Sequence, residues 1–384
     1  MIAYKFRMYP KKEQVDKLDL SLEVCRQTYN NLLSGLDERF TKNELQNYIL
    51  DLKVVNPEMN NVHSKVLQME NQRLFSNLSS LSQRKKQGNK VGRLRFKGKN
   101  WFKTFTYNQS GFKLIQIKNK KGILFLSKIG EIPIKLHRQV EGNIKSITIK
   151  KSIGKWYASV TTDATIKRKC GTGEIGIDVG IENYIYDSNG NAYENPKHFD
   201  KYHQELKFAQ QSLSKKVKGS NSRRKARIKF AKIHEKISNA RNDFIHKLST
   251  KLIKENKFIA IEKLNIKNLI GISYNAKNIA DASWGRLAMY LHYKAENAGC
   301  AVIDVDPAYT TRDCNFCGFR NRKLFLWQRK FCCEKCNKEL PRDYNSALNI
   351  LARGKELASL EKASNTGQLV QQEASMKAEA TTSR

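Results

Sequence analysis

Along residues 2–9 apolar and polar positions alternate. Ile2, Tyr4, Phe6 and Met8 share one face, and Lys5 and Arg7 share the other. A period of two predicts a strand with one buried face. Beyond "YPKKEQ" the period lengthens, and Leu18, Leu22, Cys25, Tyr29 and Leu32 recur as the stripe of a helix. Mixed helical segments continue to about residue 88. From 93 to 165 the alternation returns in "FKTFTYNQ", "GFKLIQIKN", "GILFLSKI", "IKSITIKKS" and "KWYASVTTD", separated by Gly/Asn/Lys turns. Short strands at this spacing predict a small β-barrel. The opening strand would complete it, so residues 1–10 and 89–170 are expected to form the barrel and 11–88 a helical insertion.

From 173 onward "GEIGIDVG", "NYIYDSNGNAYE", "KFIAIEKL" and "CAVIDVDP" predict strands, with a long basic helical stretch at 200–255 among them. This unit is expected over 171–306 and 338–354, interrupted by a cysteine-rich insert at 307–337 and ending on a short helix at 343–353. The tail, 355–384, is rich in Ala, Ser, Thr, Gln and Glu and is expected to be disordered. The chain therefore reads as an α+β multidomain protein, and 384 residues suffice for two or three cores.

Charge changes the picture more than composition does. Seventy-one Lys+Arg stand against 36 Asp+Glu, a net charge of +35, with 40% hydrophobic residues. A field of that sign recruits polyanions, and nucleic acid is the one whose neutralised phosphates release counterions. The competing reading, an anionic membrane surface, has no long apolar run or amphipathic anchor behind it. "MIAYKFRMYP" alternates like a strand and lacks the pattern of a signal peptide. Two cationic clusters are candidate phosphate contacts: Arg93, Arg95, Lys97 and Lys99, then Arg223, Arg224, Lys225, Arg227 and Lys229. Singly, each is equally well explained as a solvated surface charge.

Eight cysteines divide into two groups. Cys25, Cys170 and Cys300 are scattered in apolar company and are expected to be buried thiols, whereas five crowd into 314–336. That distribution suits a metal site in a reducing cytosol and not a secreted disulfide scaffold. Cys314-x2-Cys317 and Cys333-x2-Cys336 are separated by 15 residues, 318–332, within the range of a four-cysteine zinc site. Each pair aims two thiolates at one ion, and four cysteine ligands leave no position for water, so such a zinc is structural. Cys332 competes with Cys333 at a poorer spacing; disulfides or an iron–sulfur cluster are the other readings of the group.

Three carboxylates sit where carboxylates are unexpected. Asp178 interrupts the apolar strand "IGIDVG", where Gly176 and Gly180 share its phase and would keep its face clear of bulk. An unpaired buried carboxylate is costly, and a metal on an open face removes the problem. Glu262 ends the strand "KFIAIE" in the same fashion. Asp343 opens the helix bearing Ala347, Ile350 and Leu351, where an aspartate also serves as an ordinary N-cap. The order of strand, hairpin, helix, strand and late helix is that of a ribonuclease-H-like nuclease, whose gathered carboxylates bind two divalent ions.

These motifs together carry a resemblance. "YKFRMYPKKEQ", "VCRQTYNNLL", "GRLRFKGKN", "GIDVGIENY", "RRKARIKFAKIHEKISNARNDFIHKLST", "IAIEKLNI", "CNFCG" and "CEKC…RDYNSALNIL" resemble the TnpB (OrfB) family of transposon-encoded, RNA-guided DNA nucleases, relatives of the compact type V CRISPR effectors. The likeness spans roughly residues 1–353. It implies a WED-like barrel with a REC-like helical insertion, then an RNase H-like RuvC nuclease domain with a zinc-binding insert. It also implies that Asp178, Glu262 and Asp343 are catalytic and hold Mg2+ or Mn2+. Cys314, Cys317, Cys333 and Cys336 would bind structural Zn2+. The implied partners are a noncoding guide RNA and double-stranded target DNA, in a cytoplasmic, monomeric ribonucleoprotein. The rivals are a catalytically silent RNA-guided repressor and a non-enzymatic, zinc-containing nucleic-acid-binding protein. The chain departs from the family's usual pattern at Leu94, at Asn337 after the second cysteine pair, and at Pro341 two residues before Asp343.

Overall fold

The alternation at the N-terminus is realised as β1 (Ile2–Met8), with Tyr4, Phe6 and Met8 buried. The computed structural model describes residues 1–36, 41–117, 120–165, 169–325 and 327–361. They fall into two units, residues 1–165 and 166–384.

In the first unit β1 is followed by α1 (Lys12–Gly35), α2 (Lys42–Val55), a short 3-10 turn (Pro57–Asn61) and α3 (Ser64–Lys86). Six strands follow: β2 (Thr104–Asn108), β3 (Phe112–Ile117), β4 (Lys121–Leu126), β5 (Gly130–Lys135), β6 (Ile144–Ser152) and β7 (Lys155–Thr162). They form one antiparallel sheet ordered β2-β6-β7-β1-β5-β4-β3. The edge strands β2 and β3 are joined by only residues 109–111. A flat seven-stranded sheet would hold its edges about 29 Å apart, whereas so short a connection spans at most about 14 Å. The sheet must therefore roll up. The Tyr107 hydroxyl of β2 donates to the Ser127 carbonyl just past β4 (2.8 Å), across the seam. Among the described residues no ladder joins β2 to β3, so the expected barrel is a rolled sheet with an unpaired seam. Helices and sheet share one hydrophobic core.

Strand β5 was not read from the sequence because Pro133 lies inside it and removes a ladder donor. Here Pro133 pairs in register with Ile123, and its carbonyl accepts from the Tyr9 N–H (2.9 Å).

The second unit carries β8 (Gly173–Val179), β9 (Asn183–Asp187), β10 (Ala192–Glu194), β11 (Asn256–Glu262) and β12 (Ala301–Val305). Their order is β10-β9-β8-β11-β12; β8, β11 and β12 run parallel and the hairpin strands antiparallel. The basic stretch expected as one helical run is two helices, α4 (His198–Ser214) and α5 (Asn221–Glu255), packed through Leu206, Ala209, Ile233 and Ile237. Three helices follow for which the pattern gave no expectation: α6 (Ile266–Ile272), α7 (Ala276–Ala282) and α8 (Trp284–Ala298). Two short paired strands, β13 (Lys330–Cys332) and β14 (Glu339–Pro341), precede a final helix, α9, over residues 342–361. That helix corrects two boundaries, because it runs past 353 and includes 355–361, expected to be disordered; residues 362–384 lie outside the described residues. Of the scattered cysteines Cys25 is buried, but Cys170 and Cys300 are only half-buried, against expectation.

Glycines set how closely α9 approaches the sheet. A Cβ built on Gly176 of β8 would lie 2.2 Å from the Ala347 carbonyl oxygen and 2.6 Å from the Leu351 nitrogen. One on Gly354 of α9 would lie 2.5 Å from the Ala260 Cβ of β11. Glycine inside a helix costs about 1 kcal/mol relative to alanine, and this close approach is what it makes possible. The expectation that Gly176 keeps the Asp178 face open is thus corrected: its missing side chain admits a helix backbone. Gly176→Ala is expected to destabilise the second unit by at least about 2 kcal/mol, measured as a lower urea midpoint, because the obstacle is rigid backbone.

Candidate nuclease centre and metal site

The four cysteines of the two CxxC motifs converge. Their Sγ atoms all lie within 4.8 Å of one another, with Cys314–Cys336 at 3.7 Å and Cys317–Cys333 at 3.5 Å. Disulfide sulfurs are about 2.05 Å apart. Four sulfurs around a zinc at about 2.3 Å would be spaced by about 3.8 Å, which these distances match. The two knuckles repeat one turn: the Gly318 N–H donates to the Cys314 carbonyl (2.9 Å) and the Asn337 N–H to the Cys333 carbonyl (3.0 Å). Both residues have positive φ, +71° and +53°. Asparagine is among the few non-glycine residues that tolerate this region, so Asn337 makes the turn that Gly318 makes in the first pair.

Burial opposes charge on the Cys333 thiol, but the N–H groups of Cys336 and Lys335 outweigh it and bring its pKa to about 6. At Cys336 the Lys338 N–H favours the thiolate, yet burial and the neighbouring thiols push it up to about 12. Four thiols in one space cannot all ionise without a cation, and a dication is what the set fits. Cys332 lies in β13 opposite Glu339 and outside the cluster, which Cys333 completes.

The insert is fastened to α9 by two residues that sequence reading missed. Asn345 and Asn349 are buried and one helical turn apart. Asn345 donates to the Asp313 carbonyl (2.8 Å) and accepts from the Asn315 N–H (3.1 Å). Asn349 donates to the carbonyls of Thr310 (2.8 Å) and Asp313 (2.6 Å). The Asp313 carboxylate, in turn, accepts from Arg320 (2.6 Å) and Arg353 (2.7 Å). The signal was present in "DYNSALN", as two amides at i and i+4 and so on one face of the helix.

Close by, the three carboxylates share a cleft. Asp178 from the end of β8, Glu262 from the end of β11 and Asp343 from the first turn of α9 line one cleft of 810 Å³, all within the second unit. Glu262 accepts from the Thr310 hydroxyl (2.6 Å). Asp343 accepts from Nε and Nη2 of its neighbour Arg342 (3.2 and 3.1 Å). Asp178 has no ion pair among the described residues. Burial, then the charges of Glu262 and Asp343, hold its carboxyl well above the usual carboxylate range. Burial likewise raises Glu262 despite its bond to Thr310. Carboxylates are hard oxygen donors, so an ion held at this cleft would be of the magnesium or manganese kind.

The cationic candidates separate. Arg224, Lys225, Arg227 and Lys229 are exposed along α5, and Arg93, Arg95 and Lys99 are exposed in the first unit. Arg223, by contrast, donates through Nη1 to the Leu213 and Lys216 carbonyls (3.1 and 2.7 Å) and ties α4 to α5. The backbone of Lys97 is pinned by Arg26 (2.7 Å) and Asn30 (2.8 and 3.0 Å).

The chain aligns with a Streptomyces pristinaespiralis protein named "Putative RNA-guided DNA endonuclease", 30% identical over 367 residues, covering 92% of this chain and 89% of that one. The chain belongs to the TnpB (OrfB) family of RNA-guided DNA endonucleases. "Putative RNA-guided DNA endonuclease InsQ" of Escherichia coli K12 is 32% identical, with 73% of each chain covered. Family descriptions match in three stretches: "Helix-turn-helix domain" at 1–44, "Probable transposase" at 157–273 and "Cas12f1-like, TNB domain" at 284–350. In this TnpB relative residues 1–44 hold β1, α1 and the start of α2. Its fold is that of a Cas12f1 chain solved by cryo-EM in a Cas12f1–sgRNA–target DNA complex, with a TM-score of 0.59, 17% identity and coverage of 88% and 82% of the two chains. No helix among the described residues is long and apolar enough to cross a membrane.

Two measurements check this geometry. Metal analysis of purified protein should find zinc retained in Cys332→Ser and lost in Cys333→Ser. In zinc-loaded protein free of other divalent ions, Asp178→Asn should raise the melting temperature. The sign follows from the raised carboxyl pKa: the unfolded chain ionises from about pH 4, so the folded wild type loses stability from there up to its own raised pKa. The variant should lack that loss, and the gap between the two proteins should widen as pH rises.

Proposed function

We propose that this chain cleaves DNA beside a short flanking motif, directed by a noncoding RNA, with two divalent cations held by Asp178, Glu262 and Asp343. The observation that carries this reading is the convergence of three carboxylates from β8, β11 and α9 on one cleft. When bound, the cations supply activation of a water for in-line attack and stabilisation of the leaving oxygen. The chain's own residues do the positioning. Thr310 orients the Glu262 carboxylate, the sheet fixes Asp178 against it, and α9 brings in Asp343. Asn345 and Asn349 hold the cysteine insert at the start of that helix, where it would steady a strand entering the cleft. Product ends would be 5′-phosphate and 3′-hydroxyl.

Guide pairing reads the target and the protein reads only the flanking motif, so specificity changes with the RNA. The exposed cations of α5 and of residues 93–99 would meet phosphates of RNA or heteroduplex, in a particle with one copy of the chain. Asp178→Ala is expected to abolish plasmid cleavage, a loss of at least about 10³-fold, while RNA and DNA binding stay within twofold of wild type. Full cleavage by that variant would sink the assignment.

A further inference from the structure

The first unit contains a small pocket that the cleavage reading does not use. It is a 240 Å³ recess between α1, α3 and the segment leading into β2, lined by Tyr29, Arg73, Asn77, Lys97, Trp101 and Lys103 among others. We propose that it receives one nucleotide of a single strand, with the base stacked on Trp101 and its phosphate at Lys97 and Lys103. The proposal rests on the reading of the chain as a nucleic-acid-binding protein and is independent of the catalytic triad.

Four observations carry it. Trp101 leaves 66% of its surface exposed, an unusual expense for an indole on a surface so cationic. The Lys97 ammonium lies 5.6 Å from the Trp101 ring centroid and 5.9 Å from that of Tyr29, so cation and aromatic face are presented together, the combination that binds unpaired bases and their phosphates. That arrangement is set in advance. The Lys97 backbone is held at both N–H and carbonyl by α1, and Arg73 stacks 4.7 Å over Phe102 while paired at 2.9 Å with the buried Glu70. Finally Asn77, one turn beyond Arg73 on α3, lines the recess half-buried, and its side-chain amide makes no hydrogen bond among the described residues. Its amide offers a donor and an acceptor to a base edge.

Size and charge narrow the ligand. The recess is smaller than the 300–1,000 Å³ or so of sites for drug-sized molecules, which fits one base and excludes a stacked run. No carboxylate is among its lining residues, so an anionic ligand meets no repulsion at the wall.

The test uses the full chain carrying Asp178→Asn, without added magnesium, so that cleavage plays no part and failure here leaves the triad untouched. Short single-stranded probes of 5-bromouridine RNA and 5-bromodeoxyuridine DNA are photo-crosslinked, and the adduct is mapped by mass spectrometry. An adduct at Trp101 is expected, with the RNA probe if the pocket serves the guide and with the DNA probe if it serves the target. Trp101→Ala should weaken binding of that probe about tenfold, the scale of one lost base–aromatic stack, and Trp101→Phe should recover to within about threefold. Trp101 is exposed, so both variants should melt as the parent does. No adduct at Trp101 with either probe, unchanged affinity in Trp101→Ala, or equal losses in Ala and Phe variants would overturn the proposal.

Discussion

The close approach of α9 to the sheet is the contact on which the candidate nuclease centre depends. It exists because Gly176 in β8 and Gly354 in α9 present no side chain where helix and strands meet. The first turn of that helix carries Asp343 to the cleft already bounded by Asp178 and Glu262. Two and six residues further on come Asn345 and Asn349, whose amides take the carbonyls of Thr310 and Asp313 and so fasten the cysteine insert. Thr310 returns a hydroxyl to Glu262. One helix therefore positions a carboxylate directly, a second through a threonine, and the cysteine knuckles through a pair of amides.

The electrostatics run against the protein's overall character. A chain of net charge +35 gathers three carboxylates at one cleft and leaves Asp178 without an ion pair among the described residues. Burial raises the proton affinity of Asp178 and Glu262, and at Asp178 the charges of Glu262 and Asp343 add to it, a standing cost in stability that a bound divalent cation would remove. The cysteine cluster follows the same logic with softer atoms: backbone N–H groups favour the Cys333 thiolate, burial and neighbouring thiols hold Cys314 and Cys336 toward the protonated form, and a dication would relieve that opposition. The second unit thus holds a soft and a hard donor set, whose chemistries would suit different metals.

Much of this was legible in the chain. Period-two alternation located β1, β2, β3, β4, β6 and β7, and the CxxC spacing brought out the thiol cluster, because both are local signals. The three carboxylates were picked out as polar residues at the ends of apolar segments, and the structure places all three at one cleft. What was not legible depends on tertiary context. Pro133 hid β5, since a proline's tolerance in a strand is decided by the neighbour it pairs with. Gly176 was read as clearing space for a metal, when it clears space for a helix. Arg223 reads as one more phosphate contact in a basic run, yet it spends donors on the carbonyls that end α4. Asn345 and Asn349 look like ordinary helix polars until the loop they hold is folded against them.

The most direct test of the account is manganese binding to the zinc-loaded, nucleic-acid-free chain, followed by electron paramagnetic resonance. The comparison protein carries Asp178→Asn, Glu262→Gln and Asp343→Asn together, which keeps shape and removes charge. The account predicts bound manganese in the wild type and a signal close to free ion in the triple variant, with zinc content unchanged. Equal manganese binding by both proteins would contradict it, and the cleft between β8, β11 and α9 would then be no metal centre.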